Sequence, residues 1–228
     1  MLRRRQRVLV PALVCVAGAV TAPDAFAAKT VALWHLDETS GPSAFDAVGG
    51  HTGAIHNVTL GVPGFAATAF RFNGKSSYVD VPSDPALNPG TAPIQFTVHV
   101  RYTVTPPKGS TTDYDILRKG TSSDSAQFYK AEIRPDNRAV CRFVGSKTSK
   151  TGILIHTGPT LNDGKWHTIS CTKANTSISL VVDGKTFTKS GTVGSISNTG
   201  PLTLGAKPGR PFSDFYNGDL DEVSVSIG

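Results

Sequence analysis

The chain has 228 residues, 39% of them hydrophobic and 18% charged, enough for one sizeable domain and short for two. Its 23 glycines and 15 prolines are spread throughout, which favours many turns and excludes a fold of long helices. The formal charge of +6 falls once the N-terminus is set apart, and what remains is too weak to point to nucleic acid or an anionic membrane.

The chain opens on a basic "MLRRRQR" and a short apolar run, "VLVPALVCVAGAV". "DAFAA" then supplies the small-x-small pattern Ala25-Phe26-Ala27. Together these predict a secretory signal peptide over residues 1–27, cut near Ala27, and a secreted protein. The other reading is a membrane anchor, but the run is short for a bilayer and contains Pro11. Cutting there removes four arginines and Asp24, leaving 19 basic and 16 acidic residues and a net charge of +3.

From residue 30 onward the pattern is period 2. In "IQFTVHVRYTV", Phe96, Val98, Val100, Tyr102 and Val104 point one way, and Thr97, His99, Arg101 and Thr103 the other. "VALWHL", "AFRFNG", "SYVDVP", "DYDILRK", "FYKAEIR", "AVCRFVG", "KWHTISCTK", "SISLVVDG", "PLTLGA" and "DEVSVSI" read alike, separated by "NGK", "PDN", "NDG", "VDGK" and "PGRP". About a dozen short strands predict an all-β fold, a two-sheet antiparallel β-sandwich filling residues 28–228 as one domain. A barrel is the other arrangement these strands allow.

The motifs "ALWHLDETSG", "FNGKSSYVDVP", "GKWHTISCT", "LVVDGK", "PLTLGA" and "FYNGDLDEVSVS" follow one another as in a laminin-G-like jelly roll. From Val31 to Ile227 the chain resembles this bacterial secreted branch of the concanavalin A-like lectin/glucanase superfamily. The resemblance implies a jelly-roll sandwich. It implies function only loosely, because that fold carries lectins, adhesion modules and glycan hydrolases.

Cys15 leaves with the signal, so Cys141 and Cys171 remain. Cys141 shares a face with Ala139 and Phe143, and Cys171 with Ile169 and His167. Both thiols then point to the apolar side, and a disulfide is the expected outcome in an oxidising compartment. Such a bridge is worth on the order of 3–4 kcal/mol. Two separate buried thiols are the alternative.

The end of the chain, "NGDLDEVSVSIG", places Asp219, Asp221 and Glu222 within four residues. Simple alternation puts Asp221 with Val223, Val225 and Ile227 on the core side, and Glu222 with Ser224 and Ser226 in solvent. Glucanases of the resembled superfamily carry a Glu-x-Asp-x-x-Glu run, and here the first and last positions are Asp219 and Ser224. Retaining glycoside hydrolysis needs a matched carboxyl pair. None stands out, and no nucleophile elbow or metalloprotease motif appears. An inward Asp221 needs a partner. One reading is a structural calcium ion held where the first and last strands meet, a position the resemblance implies, with Asp37, Asp46 and Asp221 as ligands. The other is that Asp221 caps backbone N–H groups or pairs with an arginine.

Trp34 and Trp166 offer rings that could stack on sugars, but both sit at strand starts, and core packing is the favoured reading. His99 and Arg101 lie on the polar face of the clearest strand, where they face either solvent or a glycan. Tyr114, Phe212, Phe215 and Tyr216 are loop aromatics able to stack on sugar rings, with Phe215 or Tyr216 also a core candidate. The ligand-binding candidates are His99, Arg101 and Tyr114. The reading is a non-catalytic binding module whose partner is an extracellular glycan or cell-surface ligand, without nucleic acid and without a lasting membrane anchor. A protein-adhesion module and a glycoside hydrolase of the same fold are the alternatives.

Overall fold

The computed structural model describes residues 28–108, 113–121, 127–209 and 211–228, so the signal peptide read in residues 1–27 lies outside the described residues. In chain order the strands are β1 (Lys29–Trp34), β2 (Ser43–Ala44), β3 (Gly53–His56), β4 (Thr59–Pro63), β5 (Thr68–Asn73), β6 (Tyr78–Val81), β7 (Ile94–Arg101) and β8 (Tyr114–Lys119). They continue as β9 (Phe128–Ile133), β10 (Ala139–Val144), β11 (Ile153–His156), β12 (His167–Lys173), β13 (Ser177–Val182), β14 (Lys185–Ser190), β15 (Leu202–Leu204) and β16 (Asn217–Ile227). Among the described residues the one helical element is a 3₁₀ turn at Pro85–Leu87, and no helix is long and apolar enough to cross a membrane.

Two antiparallel sheets result, as alternation predicts. Sheet I runs β14-β13-β12-β7-β16-β5-β4, with β1 also paired to β16. Sheet II runs β11-β10-β9-β8-β15-β6-β3-β2. Their inner faces close over one core that includes Trp34, Phe70, Phe96, Val98, Tyr129 and Val225. Removing such side chains from water is the main favourable term in the fold. Cys141 of β10 and Cys171 of β12 are bonded to each other, so a covalent link ties sheet II to sheet I.

Among the described residues, register shifts occur in four strand pairs, β1–β16, β4–β5, β7–β16 and β8–β9, and the last two set the outer faces described below. In β16, Asp221 lies opposite His99 and Ser224 opposite Thr97, so Glu222 and Val223 together face the single residue Val98. Glu222 takes φ 46° to make the step, a conformation that is costly for a side-chain-bearing residue. In β8, Asp115 pairs with Glu132 and Leu117 with Ala131, leaving Ile116 as the extra residue. Each bulge flips the facing of every residue beyond it. Asp221 therefore lies on the outer side of sheet I, beside His99, and not on the core side as strict alternation predicts. Asp115 and Arg118 come to share the outer side of sheet II.

Candidate functional site

Across sheet II, Thr203 of β15 lies opposite Asp80 of β6 on one side and Arg118 of β8 on the other. Arg118 in turn faces Lys130 of β9, and Lys130 faces Arg142 of β10. These residues alternate with Val79, Leu204, Leu117, Tyr129 and Cys141 of the core, so the polar row belongs to the outer face. Beside it, Tyr78 stacks between His56, at 4.3 Å between centroids, and Phe212, at 4.2 Å.

The segment after β15 folds back over this row. Gly205 turns it at φ 78°, where a Cβ would stand 2.3 Å from the Phe72 ring, so only glycine fits. The Thr203 hydroxyl donates to the Ala206 carbonyl at 2.7 Å. Phe212 then lands on Tyr78, and a cleft of about 570 Å³ is walled by Thr121, Pro201, Pro208 and Phe212, within the size range of small-molecule sites.

One end of the row is a charge network. The Lys130 ammonium contacts Asp115 at 2.8 Å, Asp113 at 3.6 Å and the Glu132 carboxylate. Arg118 reaches Asp115 at 3.3 Å and Arg134 reaches Glu132 at 3.1 Å. Arg118 also lies over the Phe128 ring at 4.2 Å, a favourable cation–π placement. Burial pushes the Asp113 carboxyl up to about 8. Burial would also raise Glu132, yet Lys130 beside it holds that carboxyl down at about 2. Burial alone would lower the Lys130 ammonium, but Asp115, Glu132 and Asp113 keep it above its usual range.

The other end is unfinished. Arg118 Nη2 and Asp80 Oδ1 are buried and have no hydrogen-bond partner among the described residues. Buried polar atoms without partners are uncommon and costly. Here a donor and an acceptor flank Thr203 on either side, with an aromatic wall adjoining. That combination suits a ligand whose hydroxyls both donate and accept and whose ring carbons are apolar.

The residues singled out from sequence fall elsewhere. Tyr114 is a core residue, its hydroxyl donating to the Val104 carbonyl at 3.1 Å and its ring packed edge-on against Tyr102 and Tyr216. His99 and Arg101 do lie on the outer face of sheet I, each packed against an aromatic ring, and His99 Nδ1 is buried there without a hydrogen-bond partner among the described residues. Phe65 stacks on His99 at 3.9 Å, and Arg101 sits 4.6 Å above Trp166 while bonding Asp219 at 2.8 Å and the Pro63 carbonyl at 2.7 Å. Trp34 is core as expected, whereas Trp166 is half-buried under Arg101 on this outer face.

Asp37, Asp46 and Asp221 do not form a shared metal centre. Asp46 is consumed by its own loop, accepting from the backbone of Leu33, Val48, Gly49 and His51 and from the His51 ring. Burial would raise its carboxyl, but these donors hold it at about 2. Asp221 accepts from the Phe65, Ala66 and Glu222 backbone N–H groups, and Asp37 from Thr68. The last two therefore grip one turn from two sides. Among the described residues, carboxylate oxygens within 4.8 Å of one another, a spacing that could hold a metal ion, occur at Asp113, Asp115 and Glu132 instead. There the Lys130 ammonium already contacts all three.

The binding of Asp80 and Arg118 into one row was hidden from the sequence by the β8 bulge and by pairing through β15. Phe212 was visible as a loop aromatic, but nothing local ties it to Tyr78.

A sequence-family model described as the concanavalin A-like lectin/glucanases superfamily, of laminin G type, matches residues 72–226. A search of curated proteins returns no match. Among solved structures, the binding domain of Paraclostridial Mosquitocidal Protein 1 is similar with a TM-score of 0.64 and 17% identity, over 86% of this chain and 48% of that one. The chain thus spans about half of that toxin domain. Domain 4 of a GH43 extracellular arabinanase from Geobacillus stearothermophilus, in complex with arabinotriose, is similar with a TM-score of 0.58 and 16% identity, over 88% of this chain and 93% of that one. Domains LG4-5 of the mouse laminin alpha1 chain give a TM-score of 0.53 and 20% identity, over 69% of this chain and 40% of theirs. At these identities the structures speak for the fold. With its two-sheet sandwich and a family match covering most of its length, the chain belongs to the laminin-G-type branch of the concanavalin A-like lectin/glucanases superfamily.

Proposed function

We propose that this chain is an exported, non-catalytic binding module that takes an extracellular glycan on the outer face of sheet II, in the cleft beside β15 walled by Pro201, Pro208 and Phe212. The observation that carries the reading is that cleft with Phe212 in its wall, together with the unpartnered Asp80 Oδ1 and Arg118 Nη2 that flank Thr203 in the neighbouring row of sheet II. A sugar ring supplies hydroxyls to both and an apolar face to the phenyl ring. The arabinotriose bound to the similar arabinanase domain supports the ligand class.

The carboxylates argue against hydrolysis. The β16 bulge places Asp219, Asp221 and Ser224 on one face, yet both Asp219 oxygens are held by Arg71 and Arg101, and the third position is a serine. On the other sheet, Glu132 is held by Lys130 and Arg134. Held carboxylates of this kind do not suit retaining hydrolysis, which needs one free ionised carboxylate beside a proton donor.

A glycan array probed with the secreted chain tests the reading. Phe212→Ala and Asp80→Ala should each abolish the signal of the sugars that bind, while leaving the fold intact. Unchanged binding by both variants rules out this cleft. An array on which no sugar binds favours a protein-adhesion module.

A further inference from the structure

The outer face of sheet I carries a different polar constellation. Asp219 of β16 lies opposite Arg71 of β5 on one side and Arg101 of β7 on the other. Arg71 Nε donates to Asp219 Oδ1 at 2.7 Å and its Nη2 to Oδ2 at 3.2 Å. Arg101 Nε and Nη2 donate to Oδ2 at 3.0 and 2.8 Å. Two cations thus share one anion, leaving a local charge of +1. The Asp219 side chain is 5% exposed and the Arg71 side chain 53% exposed, so the anion is covered and the cation reaches solvent.

These bonds use the Nε and Nη2 groups and leave the Nη1 groups of both arginines outside the network. A cleft of about 250 Å³, the scale of a single sugar ring, opens beside them and is lined also by Tyr102, Thr103, Gly164 and Asn217. We propose that this cleft is a second binding site, for the carboxylate of an acidic sugar such as a hexuronate unit. It is separate from the cleft beside β15.

Three physical points lead there. A planar guanidinium matches a carboxylate in two-point contact. Asp219 already fixes both arginines, so little side-chain freedom is left to lose on binding. The Thr103 hydroxyl and Asn217 amide offer partners for ring hydroxyls, and Phe72, Tyr102 and Val104 supply apolar wall for ring carbons. Sheet II presents mixed donors and acceptors and suits a neutral sugar. On this face the carboxylate is saturated, and the charged groups left to meet a ligand are the two guanidinium donors.

The test is NMR of the arginine Nε–Hε signals of the full chain, titrated with methyl β-glucuronide and, in parallel, with methyl β-glucoside. Arg71 and Arg101 should shift saturably with the glucuronide, with a Kd on the order of 1–10 mM that weakens as salt is added. The neutral glycoside should bind at least roughly tenfold more weakly, by loss of the charge-assisted contact. Arg71→Gln should remove the response. Arg71→Lys keeps the charge over Asp219 and should still weaken binding by losing the fork, which guards against a variant that merely unfolds. Asp80→Ala should leave the titration unchanged, so this result stands or falls apart from the β15 cleft. Equal shifts with both glycosides, no shift with either, or full binding by Arg71→Lys would overturn the proposal.

Discussion

On the outer face of sheet I, both oxygens of Asp219 and both of Asp221 meet donors, and the buried atoms left without a partner there, among the described residues, are the ring nitrogens His99 Nδ1 and Trp166 Nε1, while on the outer face of sheet II an acid and an arginine, Asp80 and Arg118, each keep such an atom. Both faces acquire their acids in the same way. A bulge in β16 turns Asp221 outward, and a bulge in β8 brings Asp115 round to Arg118. The difference lies in what answers the acids. Sheet I supplies backbone N–H groups from the β4–β5 turn and two arginines from neighbouring strands. Sheet II supplies Lys130 and Arg134 at one end of its row and leaves the other end open. A bulge gathers charge onto a face, and the count of nearby donors decides whether the acids on that face are satisfied.

Removing Lys130 should disturb this balance most. Its ammonium is 5% exposed and neutralises a group of three carboxylates. Lys130→Met leaves that charge buried, and denaturant unfolding should show a loss of about 3–5 kcal/mol. The same variant opens the position between the carboxylates. Calcium should then raise its melting temperature, while leaving that of the natural chain unchanged. Calcium stabilisation of the natural chain would mean that these carboxylates hold an ion alongside the lysine.

The disulfide joins the two faces through the core between them. Replacing Cys141 and Cys171 by serine should cost about 3–4 kcal/mol for a closed loop of this size, whose ends are 30 residues apart. Glycan binding below the new melting transition should persist, since neither sulfur lies on an outer face. Loss of binding in the folded variant would mean that the row across β15 depends on how the sheets are clamped.

Much of this architecture is written in alternation. The strand Ile94–Arg101 shows it without interruption, burying every second residue, and the paired thiols and Trp34 follow from the same rule. The rule fails where a strand carries an extra residue. Asp221 reads as inward because nothing in "DEVSVS" announces that Glu222 will take a left-handed conformation. Tyr114 reads as a loop aromatic because the start of β8 is obscured by polar neighbours. The Asp80–Thr203–Arg118 row joins three strands far apart in sequence, and only pairing reveals it. The acids read as calcium ligands are each satisfied by local donors, which composition cannot show.

The smallest expected effect is a pH slope that the two faces share unequally. Burial pushes Asp221 up to about 6, against about 3.9 for a free aspartate, even with three backbone N–H groups lowering it. Between about pH 4 and 6 the folded chain therefore binds a proton that the unfolded chain has released, so stability rises as pH falls through this window. Asp113 on sheet II, raised to about 8, acts in the same direction over a wider range. Asp46, held near 2, acts oppositely, its contribution complete above about pH 4 and lost as pH falls toward 2. His99, whose charged form burial disfavours, also opposes the rise on acidification. Comparing Asp221→Asn with the natural chain cancels those other groups. The stability gained between pH 7 and pH 5 should shrink by about 1 kcal/mol in the variant, read as a change in denaturation midpoint at the two pH values. An identical gain in both would show that the turn at Phe65 and Ala66 holds Asp221 as comfortably ionised as protonated, and that the sheet I face carries no pH dependence of its own through this carboxylate.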